Sequence, residues 1–222
     1  MIGPSFANIP AVVLGTGPSL AGQRDLIIRL RQDNKIRIFG VNHTWKDFPV
    51  DVLICCDPQF HNYYGKIEGP FAHWHWSKEI CDRHGYLYIE GRWFDGLSLD
   101  PSWISLNHCS SAQALNLAVH YGCRPLYLAG HDFRYPEGQP RHYFTNLSDL
   151  AGEYPQKLRK FSKFSKPDGN DLMAVYQKIA EQDGLPPIYN ATTGSALTCF
   201  PQADLEAFCE SGRSLRTPEV AD

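Results

Sequence analysis

The residues with the clearest chemical potential lie in the stretch Val12-Val13-Leu14-Gly15-Thr16-Gly17-Pro18-Ser19-Leu20. Ala11 to Leu14 is a short apolar, β-branched run of buried-strand type. Gly15 and Gly17 bracket Thr16, so the chain can turn tightly and a ligand can come close to bare backbone. Pro18 suits a first helical position, and Ser19 can donate or accept at the helix start. Leu20, Leu26, Ile27 and Leu30 then share one face of an expected amphipathic helix ending near Arg31. A strand, a glycine turn and a helix N-terminus in this order aim N–H groups and a positive dipole end at one point. The chemistry this suggests is phosphate or nucleotide binding by the main chain of Gly15 to Ser19. The other reading of the same residues is a βα turn that needs glycine for its geometry alone.

Two familiar nucleotide motifs do not fit. G-x-G-x-x-G would place a glycine where Leu20 stands, and an NAD fold would end its second strand on an acid. Here that strand ends Phe39-Gly40-Val41-Asn42. No Gly-Lys-Ser/Thr follows the first turn, so the stretch is not a P-loop.

Further polar candidates stand where apolar runs stop. Ile36 to Val41 reads as a second strand closing at Asn42, and Val50 to Cys56 as a third closing at Asp57. Open α/β sheets gather ligand contacts at such strand ends, although Asn and Asp also favour turns there. Leu87 to Ile89 reads as a short fourth strand, and Gly91 to Asp100 as a loop. Cys109-Ser110-Ser111-Ala112 leads into a helix over Gln113 to Tyr121, which Ser110 or Ser111 can cap. Pro125 to Leu128 is a buried strand whose end carries His131 and Asp132. Asp171 to Gln182 reads as a helix and Pro187 to Asn190 as a last strand.

Two segments are unusual. Between Gln59 and Trp76 aromatic residues crowd around His61, His73 and His75. His73-x-His75 has a spacing that can hold a metal, but no nearby Cys or carboxylate completes a set, and a packed aromatic surface is the expected role. From Arg134 to Gly169 apolar periodicity is weak, as in a lid. This stretch carries Arg141, His142, Tyr143, Tyr154 and a basic run, Lys157, Arg159, Lys160, Lys163 and Lys166, interleaved with Phe161 and Phe164.

The 222 residues, 43% of them hydrophobic, suit one domain with a full core. A formal charge of −3 advertises neither nucleic acid nor a membrane surface. Seven cysteines without a C-x-x-C pair fit a reduced, cytoplasmic compartment. No apolar run has the length of a membrane span, and no signal peptide is apparent. Alternating strands and helices argue a Rossmann-like α/β domain over residues 1–210. A mostly parallel sheet would carry helices on both faces, a polar lid over about 134–169 and a flexible tail over 211–222.

Three blocks together resemble known transferases. Gly15-Thr16-Gly17-Pro18-Ser19-Leu20 is similar to the G-x-G-P-S-L turn of bacterial family 42 sialyltransferases and of the archaeal 6-hydroxymethylpterin diphosphokinase-like group. Ser110-Ser111-Ala112 with Gly130-His131-Asp132-Phe133 resembles their Ser-rich helix start and G-x-D-F strand end. Ile188-Tyr189-Asn190-Ala191 with Ser195-Ala196-Leu197 resembles their closing strand and turn.

The resemblance implies a Rossmann-like transferase using a nucleotide-linked donor without a metal-binding D-x-D pair. It places Thr16, Asn42, Asp57 and Ser110 in the donor pocket, with Tyr143 and Tyr154 as approximate counterparts of phosphate-contacting tyrosines. The family's general-base His has no match here, because the corresponding context is Phe164-Ser165-Lys166.

Three readings follow. In the first, a sugar moves from a nucleotide sugar to a hydroxyl of a glycan, a small molecule or a hydroxymethylated base in DNA. The basic and aromatic run suggests the last of these. Gly15 to Ser19, the lid tyrosines and Arg141 would hold the leaving group. Asp57, His131, Asp132 and His142 are candidates for the base, Asp57 and His142 being favoured; His131 and Asp132 can equally buttress their loop. This reading expects no cofactor. In the second, a diphosphokinase moves pyrophosphate from ATP to a hydroxymethyl group and needs Mg²⁺. In the third, the chain is a non-catalytic nucleotide-binding module.

Overall fold

The structure is a computed structural model that describes residues 5–107, 109–134 and 170–211. Its centre is a seven-stranded sheet in which every pairing is parallel. The strands are β1 (Ala11–Leu14), β2 (Arg37–Val41), β3 (Val52–Ile54), β4 (Ala72–His75), β5 (Leu87–Tyr88), β8 (Leu126–Ala129) and β9 (Ile188–Asn190). Their spatial order is β5-β4-β3-β2-β1-β8-β9. The chain therefore winds outward from β1, then returns to lay β8 on the other side of β1. That reversal is the topological switch point of an open α/β sheet, where ligand crevices form at the carboxyl ends of the strands. β6 (Glu90–Arg92) and β7 (Trp103–Ser105) form a separate parallel pair.

Strand residues alternate between two cores, as a pleated sheet buried on both faces requires. Val12, Leu14, Ile38, Leu53 and Tyr127 pack with Leu20, Ile27 and Leu30 of α1 (Leu20–Gln32). Leu205 and Phe208 of the last described helix join them. Ala11, Val13, Phe39, Val52 and Leu128 pack on the opposite face. There they meet α4 (Ser110–His120) and α5 (Asn170–Ala180). α4 is buried on nearly all sides, because it lies between the main sheet and the β6–β7 unit. Its Asn116 clasps that unit, accepting from the N–H groups of Ser98 and Ser105 at 2.9 and 3.0 Å.

The expected α/β architecture is the one observed, with local differences. β3 is shorter than Val50 to Cys56, and Leu87 begins the fifth strand rather than the fourth. β4, β6, β7 and the helices α2 (Pro58–Tyr64) and α3 (Lys78–His84) were not expected. Part of the segment read as a loop from Gly91 belongs to β6. The helix after the glycine turn starts at Leu20, so Pro18 precedes it in a turn closed by Leu20 N–H on Gly17 O at 3.2 Å.

Candidate functional site

Three chain crossings at the carboxyl rim of the sheet are joined by hydrogen bonds. The exit of β1 is tied to the exit of β8: Gly15 N–H donates to Ala129 O at 2.7 Å and Gly17 N–H to Gly130 O at 2.8 Å. The exit of β8 is tied in turn to that of β9. His131 N–H donates to Thr192 Oγ1 at 2.9 Å, Ser195 Oγ donates to His131 O at 2.5 Å, and Ala196 N–H to Asp132 O at 2.9 Å. The result is a rigid rim whose amides are largely committed.

Asp132 then closes the start of α1. It accepts from Ser19 N–H at 3.2 Å and from Ser19 Oγ at 2.8 Å. A carboxylate at a helix N-terminus satisfies orphan N–H groups and compensates the dipole. The amides of Gly15, Gly17 and Ser19 already have internal acceptors, Pro18 has no N–H, and the anion at the start of α1 is the protein's own Asp132. The glycines serve the same joint. A Cβ at Gly17 would stand 1.9 Å from Asp132 Oδ2, and one at Gly15 would stand 2.3 Å from Gly130 O.

Above this rim lies a cleft of about 240 Å³. Gly15, Thr16 and Gly17 line it from one side, Gly130, His131, Asp132 and Phe133 from another, and Asn42 from the end of β2. Cys109, Ser110 and Ser111 bring the start of α4 to it. Asn42 and Phe133 hold φ of 47° and 48°, in the left-handed region that non-glycine residues rarely adopt. Such strain costs on the order of 1–3 kcal/mol and clusters at functional sites.

The start of α4 differs from that of α1. Cys109, not a serine, occupies the N-cap position, no side chain caps the helix, and its first turn holds no acid. The first intrahelical bond is Gln113 N–H to Cys109 O at 3.0 Å, so the N–H groups of Ser110, Ser111 and Ala112 precede the ladder. Ser111 Oγ is held 2.7 Å from the hydroxyl of Tyr176 on α5, and Ser110 bonds the thiol of Cys56. Burial pushes the Cys56 thiol up to about 12 and the Tyr176 hydroxyl well above its ordinary range, so both stay protonated near neutrality.

His131 is buried and its imidazole is pushed down to about 4 by that burial. Nδ1 lies 3.1 Å from Ala129 O, which only accepts, so the proton sits on Nδ1. Nε2 is then a buried lone pair with no hydrogen-bond partner.

Of the expected site residues, the cleft gathers Gly15, Thr16, Gly17, Asn42, Ser110, Ser111, His131 and Asp132. Pro18 and Ser19 stand behind its lining, and Asp57 is off the lining, at the entry to α2, where its carbonyl accepts from Phe60 N–H at 3.0 Å. Arg141, His142, Tyr143, Tyr154, Lys157, Arg159, Lys160 and Lys163 lie outside the described residues, as do almost all of the expected lid and tail. Tyr176 was not expected; nothing near it in sequence points to Ser111. Among the described lining residues the carboxylate is that of Asp132, already engaged by Ser19. Among the described residues no group of three or more His, Cys, Asp or Glu is placed to hold a metal ion.

These bonds give Asp132 a test. Asp132→Ala should lower stability by about 1–2 kcal/mol, as loss of a helix cap does, read as a lower urea midpoint at unchanged slope. An unchanged midpoint with turnover abolished would make Asp132 a reacting group instead of a brace.

Neither protein-family models nor the curated proteins give a match to this chain. Among solved structures, the chain is similar to the MAf glycosyltransferase from Magnetospirillum magneticum AMB-1, with a TM-score of 0.57 and 14% identity. The similarity covers 90% of this chain and 34% of that one, so the chain spans about a third of that protein's length. At this identity the likeness is one of fold: the chain has a glycosyltransferase-like α/β architecture. The resemblance to family 42 sialyltransferases and diphosphokinase-like proteins continues to rest on the three motif blocks. No helix among the described residues is long and apolar enough to cross a membrane.

Proposed function

We propose that the chain is a glycosyltransferase-like enzyme that moves a sugar from a nucleotide-linked donor to a hydroxyl acceptor, a glycan or another small molecule. The observation that carries this reading is the uncapped, acid-free start of α4 opening onto the switch-point cleft. The fold shared with a glycosyltransferase supports it.

In this reading the donor's anionic group lies against the N–H groups of Ser110 to Ala112. These gain strength as negative charge grows on the departing phosphate. Ser111, oriented by Tyr176, adds a hydroxyl donor. Asn42 and Thr16, across the cleft, contact the nucleoside or sugar. The acceptor proton passes to Asp57 or His142.

A thermal-shift panel of CMP, UDP, cytidine and uridine nucleotide sugars, and ATP with Mg²⁺ tests the proposal. A ligand at about 100 times its Kd adds about 2.7 kcal/mol, a rise of about 5–10 °C in Tm for a chain of this size. The expected result is that rise with a pyrimidine nucleotide sugar, followed by release of the nucleotide when acceptor hydroxyls are supplied. Stabilisation and turnover with ATP and Mg²⁺ alone would replace the reading by pyrophosphate transfer. Binding without turnover for any acceptor would reduce it to a nucleotide-binding module.

A further inference from the structure

Away from the cleft, four imidazoles from three elements converge on the outer part of the sheet. His61 of α2 stands at their centre, with ring centroids 5.6 Å from His73, 5.1 Å from His75 and 5.8 Å from His84. His73 and His75 come from β4 and His84 from α3. Tyr86 closes the group, stacked on His73 at 3.7 Å. His61, His73 and His75 are buried.

Their nitrogens are poorly satisfied. His61 Nε2 lies 3.0 Å from Cys55 O, so it carries the proton, and Nδ1 is left as a buried lone pair. Ser77 N–H donates to His75 Nδ1 at 2.8 Å, so the His75 proton sits on Nε2, which meets no acceptor. Neither nitrogen of His73 meets a partner in good hydrogen-bond geometry, the backbone of Ile67 alone favouring its charged form.

Among the charges facing the group, Asp57, at the entry to α2, favours a proton on His61, the smallest of the effects on that ring. Glu68 acts on Tyr86 while paired with Lys66 at 2.6 Å. On α3, Lys78 is paired with Asp82 and Arg83 with Glu79, all exposed, and Arg83 opposes a charge on His84. The thiols of Cys55 and Cys81 are pushed up by burial and stay neutral. None of the six ring nitrogens of His61, His73 and His75 meets a carboxylate. Ile80, Cys81 and Tyr86 around α3 form a small core apart from the two large clusters, on which Phe60 of α2 and Ala72 and Trp74 of β4 pack.

We propose that these four histidines form an acid-released latch: it holds α2, β4 and α3 closed near neutral pH and frees them under acid while the β1–β8 core stays folded. The closed form disfavours protons, because burial and neighbouring imidazoles hold His73 at about 3 and His75 at about 4, against an ordinary 6.5. Burial lowers His61 and His84 as well. Opening therefore takes up protons. The latch is fully closed above about pH 6.5 and is released progressively as pH falls from 6.5 towards 4. Elements with few buried contacts of their own open before the rest of a domain does.

The test is pulsed labelling of the whole chain with 4,4′-dithiodipyridine, which reacts with thiols under acid, read cysteine by cysteine by mass spectrometry. Cys81 reports on the latch, and Cys55, in the core under α1, and Cys123, buried beside β8, report on the core. One proton taken up on opening raises the open population about tenfold per pH unit. His73 and His75 each take up close to one proton, so labelling of Cys81, normalised to the unfolded chain, should rise about 10³–10⁴-fold between pH 6.5 and 4.5 while Cys123 stays protected. His73→Phe, which keeps the stacking on Tyr86 and removes both ring nitrogens, should make that rise shallower by one proton. The proposal is overturned if Cys81 protection does not change with pH, if Cys81 and Cys123 become reactive together, or if a folded His73→Phe variant keeps the wild-type slope.

Discussion

Gly15→Ala should destabilise the protein by about 3 kcal/mol or more, with or without ligand. The added Cβ would stand 2.3 Å from Gly130 O and 2.8 Å from its carbon, and both are backbone atoms. No rotamer relieves that contact. The exits of β1 and β8 would have to separate, and the bonds from Gly15 and Gly17 N–H to Ala129 and Gly130 would lengthen with them. Gly17→Ala should cost less. Its Cβ meets the Asp132 carboxylate, which can swing away at the loss of its two bonds to Ser19, and Gly130 O at 2.7 Å, a milder backbone clash than the one at Gly15. Urea unfolding of both variants measures the difference. A Gly15→Ala variant within about 0.5 kcal/mol of wild type would mean that the two exits are not locked together as described.

That joint explains what the sequence could and could not disclose. The run Ala11–Leu14, the two glycines and the following helix are local signals, and strand, turn and helix stand where they point. The purpose of the glycines is not local. Asp132, which fills the space beside Gly17, bonds Ser19 across a separation of 113 residues, and no spacing rule reaches that far. The chain's own carboxylate takes the space beside Gly17 and Ser19. The same limit hid Tyr176, which meets Ser111 across 65 residues.

β4 escaped notice for another reason. Its inward positions are His73 and His75, so an alternating strand reads as a polar, aromatic surface. β6 and β7 are three residues each, and α2 and α3 seven each, too short for periodicity to show. The place of Asn42, Ser110 and Ser111 on the cleft was legible because polar residues ending buried strands or opening helices stand at the rim of any α/β sheet. What sequence left undecided was which helix start remains open to a ligand.

Ser110→Asp settles that choice. An acid at the first position of α4 meets the unmet N–H groups and the dipole favourably, and should leave stability unchanged or raise it by about 0.3–1 kcal/mol. It also brings a negative charge to where the donor's anionic group is proposed to lie. Two like charges 4 Å apart repel by on the order of 4 kcal/mol at an effective dielectric of 20. Affinity for the nucleotide that shifts the wild-type Tm should therefore fall by about 10²–10³-fold. Ser110→Asn, polar but uncharged, should stay within about tenfold of wild type. Isothermal titration of the three proteins, beside their melting curves, separates charge from fold: the expected pattern is a stable Asp variant that no longer binds and a stable Asn variant that does. If Ser110→Asp binds like wild type, the anionic group does not rest on α4. If Ser110→Asn loses as much affinity as Ser110→Asp, the serine hydroxyl, not the helix start, is what the ligand needs.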